Sequence, residues 1–293
     1  SMQLGFIGLG TMGRPMALCL MNGGHAMSVH ARRAEAALPL VDHGATACPT
    51  PAAVAERSDV VFTMVTGTSD VEAVVLGDDG AGIIHGARRG TVVIDMSTID
   101  PTATRRIAQT LDDRGIDMLD APVSGGPQGA RDAALTMMVG GPSAALERVR
   151  PLLALLGPTV IHLGESGAGQ TTKACHQLAL LVTAQGVAEA LTLARRCGLD
   201  VERVRQVMMG GMASSRVLDL FGARMASRDF SAGIESRLYH KDLDIALGLA
   251  HERGAALPAA ALTMQFINGV IGRGRGRDDL SALITVVEEL DIS

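Results

Sequence analysis

Two lysines are conspicuous because the chain otherwise avoids lysine. Of its 26 basic side chains, only Lys173 and Lys241 are Lys, and the remaining 24 are Arg. Arg holds its proton near neutral pH, whereas Lys releases one when its surroundings depress its pKa. The two exceptions therefore mark places where an amine that exchanges a proton is called for. Chance retention of two surface lysines explains the count equally well, so the residues around them must decide.

A second chemistry is written at the other end of the chain. Gly8-Leu9-Gly10-Thr11-Met12-Gly13 is a G-x-G-x-x-G run. It follows an apolar strand candidate and opens a helix candidate, the context in which the pattern signals dinucleotide binding. Gly8 permits the tight turn, Gly10 lets the backbone approach a pyrophosphate, and Gly13 allows close helix–strand packing. The helix N-terminus beyond offers N–H donors to the phosphates. A plain tight turn between strand and helix is the alternative. At the end of the second strand, an acid selects NAD through the ribose hydroxyl, and Arg accommodates the NADP phosphate. The chain reads His30-Ala31-Arg32-Arg33 there. This favours NADP, with NAD possible, unless both arginines simply face solvent.

These groups need a scaffold. Leu4–Ile7, Ala26–His30, Val60–Val65, Val92–Met96, Asp117–Asp120, Leu135–Val139 and Val160–Leu163 read as short strands bounded by turn residues. Helix signals lie between them. Met16, Cys19 and Leu20 share one face behind Pro15, and Asp100-Pro101 is an N-cap followed by proline in the first turn. Such alternation predicts a parallel sheet with helices on both faces. After Gly164 the strand signals stop. A proline-free stretch from Gly167 to Cys197, rich in Ala, Leu and Gln, predicts a long helix apolar on most sides and therefore buried. Asp200 caps a further helix, and helices continue to Leu290. The expected division is 1–164 and 165–293.

Composition excludes several functions. The chain has 293 residues, 47% hydrophobic and 19% charged, a globular balance. Its formal net charge is −5, without long charge runs, so no nucleic-acid partner is expected. The basic turn Arg273, Arg275 and Arg277 reads as solvated surface. Cys19, Cys48, Cys175 and Cys197 form no C-x-x-C pair, so neither a metal site nor a redox pair is predicted, and free thiols suit a reducing compartment. Neither a signal peptide nor a membrane-length apolar run is read, and Ser1 ahead of Met2 reads as a cloning remnant. A cytoplasmic protein without a membrane partner is expected.

Four segments together resemble the β-hydroxyacid dehydrogenase family, which includes 3-hydroxyisobutyrate dehydrogenase and tartronate semialdehyde reductase types. They are Gly5-Phe6-Ile7-Gly8 through Ala17; Asp120-Ala121-Pro122-Val123-Ser124-Gly125-Gly126 through Ala130; Gly167-Ala168-Gly169-Gln170-Thr171-Thr172-Lys173; and Lys241-Asp242-Leu243. They stand in the family's order across nearly the whole chain. The resemblance implies a Rossmann-type doubly wound N-terminal domain and an all-α C-terminal domain, joined by the long buried helix and assembling as a homodimer or homotetramer. It implies that Lys173 is the catalytic acid/base and that Ser124, Gly125 and Gly126 hold the carboxylate of a small anionic hydroxy acid or semialdehyde. It places Met64, Val65 and Thr98 along the nicotinamide and ribose, and Lys241 near the cofactor.

The residue types suit those roles. Small residues after Val123 expose backbone N–H groups to a carboxylate, and the Ser124 hydroxyl adds a donor. A lysine transfers protons well when burial or a nearby cation brings its pKa toward working pH. The chain departs from the family after Lys173. Hydroxyisobutyrate-type members carry Asn three or four residues on, where this chain has His176 and Gln177. The longer 6-phosphogluconate dehydrogenases carry His at the first of these places. His176 bonds the reacting hydroxyl, or adds positive charge that suits a more acidic substrate, or is a core histidine paired with a backbone group. Gln177 keeps an amide donor. Two rivals remain: an imine reductase on the same scaffold, which typically replaces the lysine with Asp or Tyr, and a non-catalytic nucleotide-binding module.

Overall fold

The computed structural model describes residues 1–290. Its strands are β1 (Gln3–Ile7), β2 (Ala26–His30), β3 (Thr46–Ala47), β4 (Val60–Thr63), β5 (Val92–Asp95), β6 (Asp117–Asp120), β7 (Val123–Ser124), β8 (Thr136–Gly140) and β9 (Thr159–Gly164). Helices α1 (Gly13–Asn22), α2 (Leu38–Val41), α3 (Pro51–Glu56), α4 (Thr68–Leu76), α5 (Pro101–Asp112), α6 (Gly126–Arg131) and α7 (Ser143–Leu153) lie among them. Helix α8 (Ala168–Arg196) follows, then α9 (Val201–Met209), α10 (Ala223–Ser227), α11 (Ser236–Arg253), α12 (Pro258–Gly272) and α13 (Leu283–Glu289).

The strands form one sheet in the order β3-β2-β1-β4-β5-β6-β8-β7, with β9 on β8. From β3 to β6 all pairing is parallel, and β8 runs antiparallel to β6 and β7. A parallel sheet is covered on both faces, so its strands are nearly continuous apolar runs. Phe6, Val29, Phe62, Ile94 and Leu119 belong to one buried cluster, and Ile7, Val61, Val93 and Met118 to another. Phe6 and Phe62 stack at 5.8 Å between ring centroids. The chain builds β1, β2 and β3 outward, then returns to lay β4 on the other side of β1. That reversal is a topological switch point, and it is beyond the carboxyl ends of the strands at such a point that these sheets bind ligands.

Two compact units divide inside helix α8: Ser1–Lys173, and the chain from Ala174 on. The first holds the sheet and the first turns of α8. The second is all-α, with Leu181, Ala188, Leu191, Leu218, Leu243, Ile267 and Leu283 in its core and Phe221 edge-on to Tyr239 at 6.2 Å.

Sequence and structure differ in four respects. Strands β4 and β5 end at Thr63 and Asp95, short of Val65 and Met96; past β4 the Val65 N–H bonds the Ser97 hydroxyl instead of a neighbouring strand. Strands β3 and β7, of two residues each, are too short to leave a periodic signature. Burial of α8 is one-sided rather than complete: Leu181, Ala184, Ala188 and Leu191 are buried, while Leu193 is 66% exposed. By length and composition α8 would also pass as a membrane span, against expectation, but half of that window is buried inside the protein, as in a core helix.

Candidate active site

The loop after β1 is shaped by what a side chain would strike. Gly8 has φ +97°, and a Cβ there would lie 2.1 Å from the Met64 carbonyl oxygen. A Cβ on Gly13 would lie 1.9 Å from the Gly8 carbonyl oxygen. These two glycines are required by the protein's own packing. Gly10 is not, because its Cβ would meet nothing within 4 Å. Open space over an exposed glycine, at the mouth of helix α1, is what a pyrophosphate needs. Leu9 is buried beneath the loop, Thr11 is exposed and Met12 is half-buried. The residues present therefore fit a dinucleotide.

At the end of β2 the His30 carbonyl accepts from Gly8 N at 3.1 Å, and its ring Nδ1 lies 3.0 Å from the Cys48 carbonyl oxygen. Ala31 is half-buried, and Arg32 and Arg33 are exposed. Arg32 pairs with Asp70 Oδ1 at 3.1 Å, while Asp70 Oδ2 accepts from Gly67 N at 3.0 Å at the start of α4. Past β4, Met64 and Val65 are half-buried, and Val65 N donates to Ser97 Oγ at 2.9 Å. Thr98, also half-buried, follows Ser97.

Beneath these loops lie two carboxylates on adjacent strand ends, Asp95 and Asp120, which are partners in the β5–β6 register. Asp95 Oδ1 accepts from Thr63 Oγ1 at 2.8 Å and from Ser97 N at 3.1 Å. Its Oδ2 is buried without a hydrogen-bond partner. Burial pushes the Asp95 pKa up to about 6, with the Ser97 and Thr63 bonds opposing and the charge of Asp120 adding to the rise. Asp120 is also raised by burial, against backbone donors including Gly167 and Gln170.

Lys173 stands one turn into α8, 7% exposed. Its Nζ donates to the Val123 carbonyl oxygen at 2.8 Å. The next residue is Ser124, half-buried at the end of β7, followed by Gly125 at φ +137° and Gly126 at φ +63° opening α6. The amine thus lies beside the turn that the sequence singles out for an anion. In the all-α unit, Gln177 Nε2 donates to Asp242 Oδ2 at 2.8 Å, and His176 Nδ1 is 2.7 Å from Gln177 Oε1. An amide oxygen only accepts, so His176 Nδ1 carries a proton. Lys241 Nζ lies 3.2 Å from Asp242 Oδ1. Asp120, Gln170 and Asp242 stand within the sequence motifs, but the motifs alone assign them no role. The only hint in the sequence is a charged or amide residue close to a chemical one; what each bonds is not readable there.

Comparison with known proteins adds the following. Residues 3–164 match the family described as the NAD binding domain of 6-phosphogluconate dehydrogenase. Residues 167–287 match that described as NAD-binding of NADP-dependent 3-hydroxyisobutyrate dehydrogenase. The chain is 42% identical to 2-hydroxy-3-oxopropionate reductase of Escherichia coli (strain K12), over 98% of this chain and 97% of that one. It is 36% identical to 2-(hydroxymethyl)glutarate dehydrogenase of Eubacterium barkeri, over 99% and 96%. A solved structure of Mycobacterium tuberculosis 3-hydroxyisobutyrate dehydrogenase with L-serine matches at a TM-score of 0.89 and 30% identity, covering 98% of this chain and 99% of the other.

Proposed function

We infer the chemistry of this site from one premise: the chain belongs to the β-hydroxyacid dehydrogenase family. It is an NAD(P)-dependent oxidoreductase that interconverts β-hydroxy acids and their semialdehydes. We propose that Lys173 is its proton-transfer residue. The observation that carries this is the placement of a buried ammonium 2.8 Å from the Val123 carbonyl, immediately before the Ser124–Gly126 turn. The bound dinucleotide supplies or takes up the hydride. In reduction the Lys173 ammonium gives a proton to the substrate oxygen as the carbonyl becomes an alcohol, and in oxidation the neutral amine accepts it.

Ser124, Gly125 and Gly126 are proposed to hold the substrate carboxylate. The Gly8–Gly13 loop, with Leu9, Gly10, Thr11 and Met12, would hold the pyrophosphate. Met64, Val65 and Thr98 would line the nicotinamide and its ribose. Ala31, Arg32 and Arg33, with no acid among them, support NADP as the preferred dinucleotide. In the all-α unit, His176 and Gln177 are proposed substrate contacts, and Lys241 a cofactor contact. The identity to the Escherichia coli protein supports a three-carbon semialdehyde such as 2-hydroxy-3-oxopropionate as substrate. Exposed apolar side chains of the all-α unit, among them Leu193, Leu199 and Val207, support a homodimer or homotetramer. Four unbridged cysteines support a cytoplasmic setting.

The test is a panel of small semialdehydes and hydroxy acids, with a cyclic imine, each tried with both dinucleotides while absorbance of the reduced form is followed. Wild type should turn over the semialdehydes and leave the imine. Lys173→Met should lose about 10²–10⁴ in kcat and still bind dinucleotide. Undiminished turnover by that variant would remove Lys173 from the mechanism.

A further inference from the structure

The first turn of α8 lies directly on the sheet. A Cβ on Gly169 would stand 2.3 Å from the Met138 carbonyl oxygen and 2.7 Å from that of Asp120. One on Gly140 would stand 2.8 Å from Gly169 N. At that spacing no side chain separates helix from strand ends, so directional bonds settle how the helix is held.

Those bonds come from two side chains, each 1% exposed: Asp120 and Gln170. Asp120, on β6, reaches up to the helix start. Its Oδ1 accepts from Gly167 N and its Oδ2 from Gln170 N, both at 3.0 Å. A helix leaves its first N–H groups without intrahelical partners. Here a carboxylate from a strand takes two of them, fixing the helix end at one point on the sheet. Gln170 reaches from the helix to the loop after β5. Its Nε2 donates to the Ser97 carbonyl at 2.7 Å, and its Oε1 accepts from Ile99 N at 3.0 Å. An anchor at the end of the helix leaves rotation about its axis open, and a second bonded arm to one side removes it. Lys173 is three residues beyond Gln170, on the same side of the helix. The loop that Gln170 grips is the one whose Ser97 hydroxyl holds Val65 N.

We propose that Gln170 and Asp120 are positioning residues for Lys173: they fix the rotation and seating of its helix turn, and hence where its amine stands against the Ser97–Ile99 loop. Neither touches a reactant. The proposal rests on Lys173 being the proton-transfer group. Proton transfer demands reach within hydrogen-bond distance, and a misplacement of about 1 Å can cost ~10²-fold. Filling the same volume with an apolar chain keeps the packing but gives up the direction.

The experiment is a cycle of Gln170→Met and Lys173→Ala, alone and together, on the full chain. It measures kcat, KM and the affinity for reduced dinucleotide by its fluorescence. Gln170→Met should lower kcat by about 10- to 100-fold while dinucleotide affinity changes by less than about threefold. The double variant should be no slower than Lys173→Ala, because misplacing an absent amine costs nothing. Added ethylamine, which is not carried by the helix, should restore turnover equally to Lys173→Ala and to the double variant. Gln170→Leu, another uncharged apolar chain that makes neither bond, should lose kcat to a similar degree, and it serves if Gln170→Met does not fold. Unchanged kcat in the Gln170 variants beside a crippled Lys173→Ala would overturn the positioning role alone. A Gln170→Met loss that multiplies that of Lys173→Ala would do the same, showing an effect that bypasses the amine. Full turnover by Lys173→Ala would instead overturn the reading of Lys173 beneath it.

Discussion

Replacing Asp95 with Asn should make the protein more stable at mildly alkaline pH. Asp95 is wholly buried, one of its oxygens has no partner, and its pKa rises from 3.8 to about 6 on folding. A raised pKa in an acid means that the folded state holds its proton longer than the unfolded chain does. Stability is therefore unaffected by this group below pH 3.8, falls as pH climbs toward 6, and stays reduced above it. The shift is about two units, so at 1.36 kcal/mol per unit the loss is ~3 kcal/mol. Asparagine keeps an acceptor for Thr63 Oγ1 and Ser97 N but leaves a buried amide group unpartnered, at a cost of about 1 kcal/mol. The variant should thus exceed wild type by ~2 kcal/mol near pH 8, and its stability should vary less between about pH 4 and pH 7. Asp120, raised in the same direction, would supply what slope remains. Urea unfolding followed by circular dichroism at several pH values measures both quantities. A variant less stable than wild type near pH 8, or one that keeps the wild-type slope, would refute the reasoning.

Three further outcomes are expected. Gly8→Ala puts a Cβ 2.1 Å from the Met64 carbonyl oxygen at φ +97°, an overlap with backbone that no rotamer relieves, so dinucleotide affinity measured by fluorescence titration should fall by more than about tenfold. Asp100→Ala removes the cap that accepts from Thr102 N at 3.3 Å and Ala103 N at 3.1 Å; it should cost ~1 kcal/mol, read as a small drop in Tm, with kcat unchanged. Arg33→Ala should raise KM for NADP by about tenfold, in line with a charge-assisted bond of ~1.5–3 kcal/mol, and leave KM for NAD alone. Equal effects on both dinucleotides would show that Arg33 does not reach the phosphate.

Much of the fold was legible because it rests on local signals. Continuous Val and Ile runs marked the parallel strands, Asp100 and Asp200 announced their helices and do cap them, and the glycine run fell at the strand–helix turn. What escaped depends on distant partners. Nothing near Val65 in sequence says that its N–H will find the Ser97 hydroxyl. Nothing near Asp120 says that its carboxylate will take up the N–H of Gly167, 47 residues later, at the start of a helix. The periodicity of α8 shows which residues are apolar but not whether anything lies against them, and so it overstated burial at Leu193. The candidate site divides the same way. The types of residue at 124–126 and 173 could be read directly, whereas the bracket of Asp120 and Gln170 required coordinates.

Asp70 holds the start of α4 with one oxygen and Arg32 with the other. An incoming phosphate on the adenosine ribose would meet a guanidinium that already has an anion on it. If Arg32 takes that phosphate, as proposed above, Asp70 competes with it. With the Arg32 side chain 88% exposed the pair is weak, at ~0–1 kcal/mol, so the competition lowers phosphate affinity by no more than about fivefold and fades as salt rises. Selectivity between the two dinucleotides would then shift with ionic strength even if every residue touching them stayed the same.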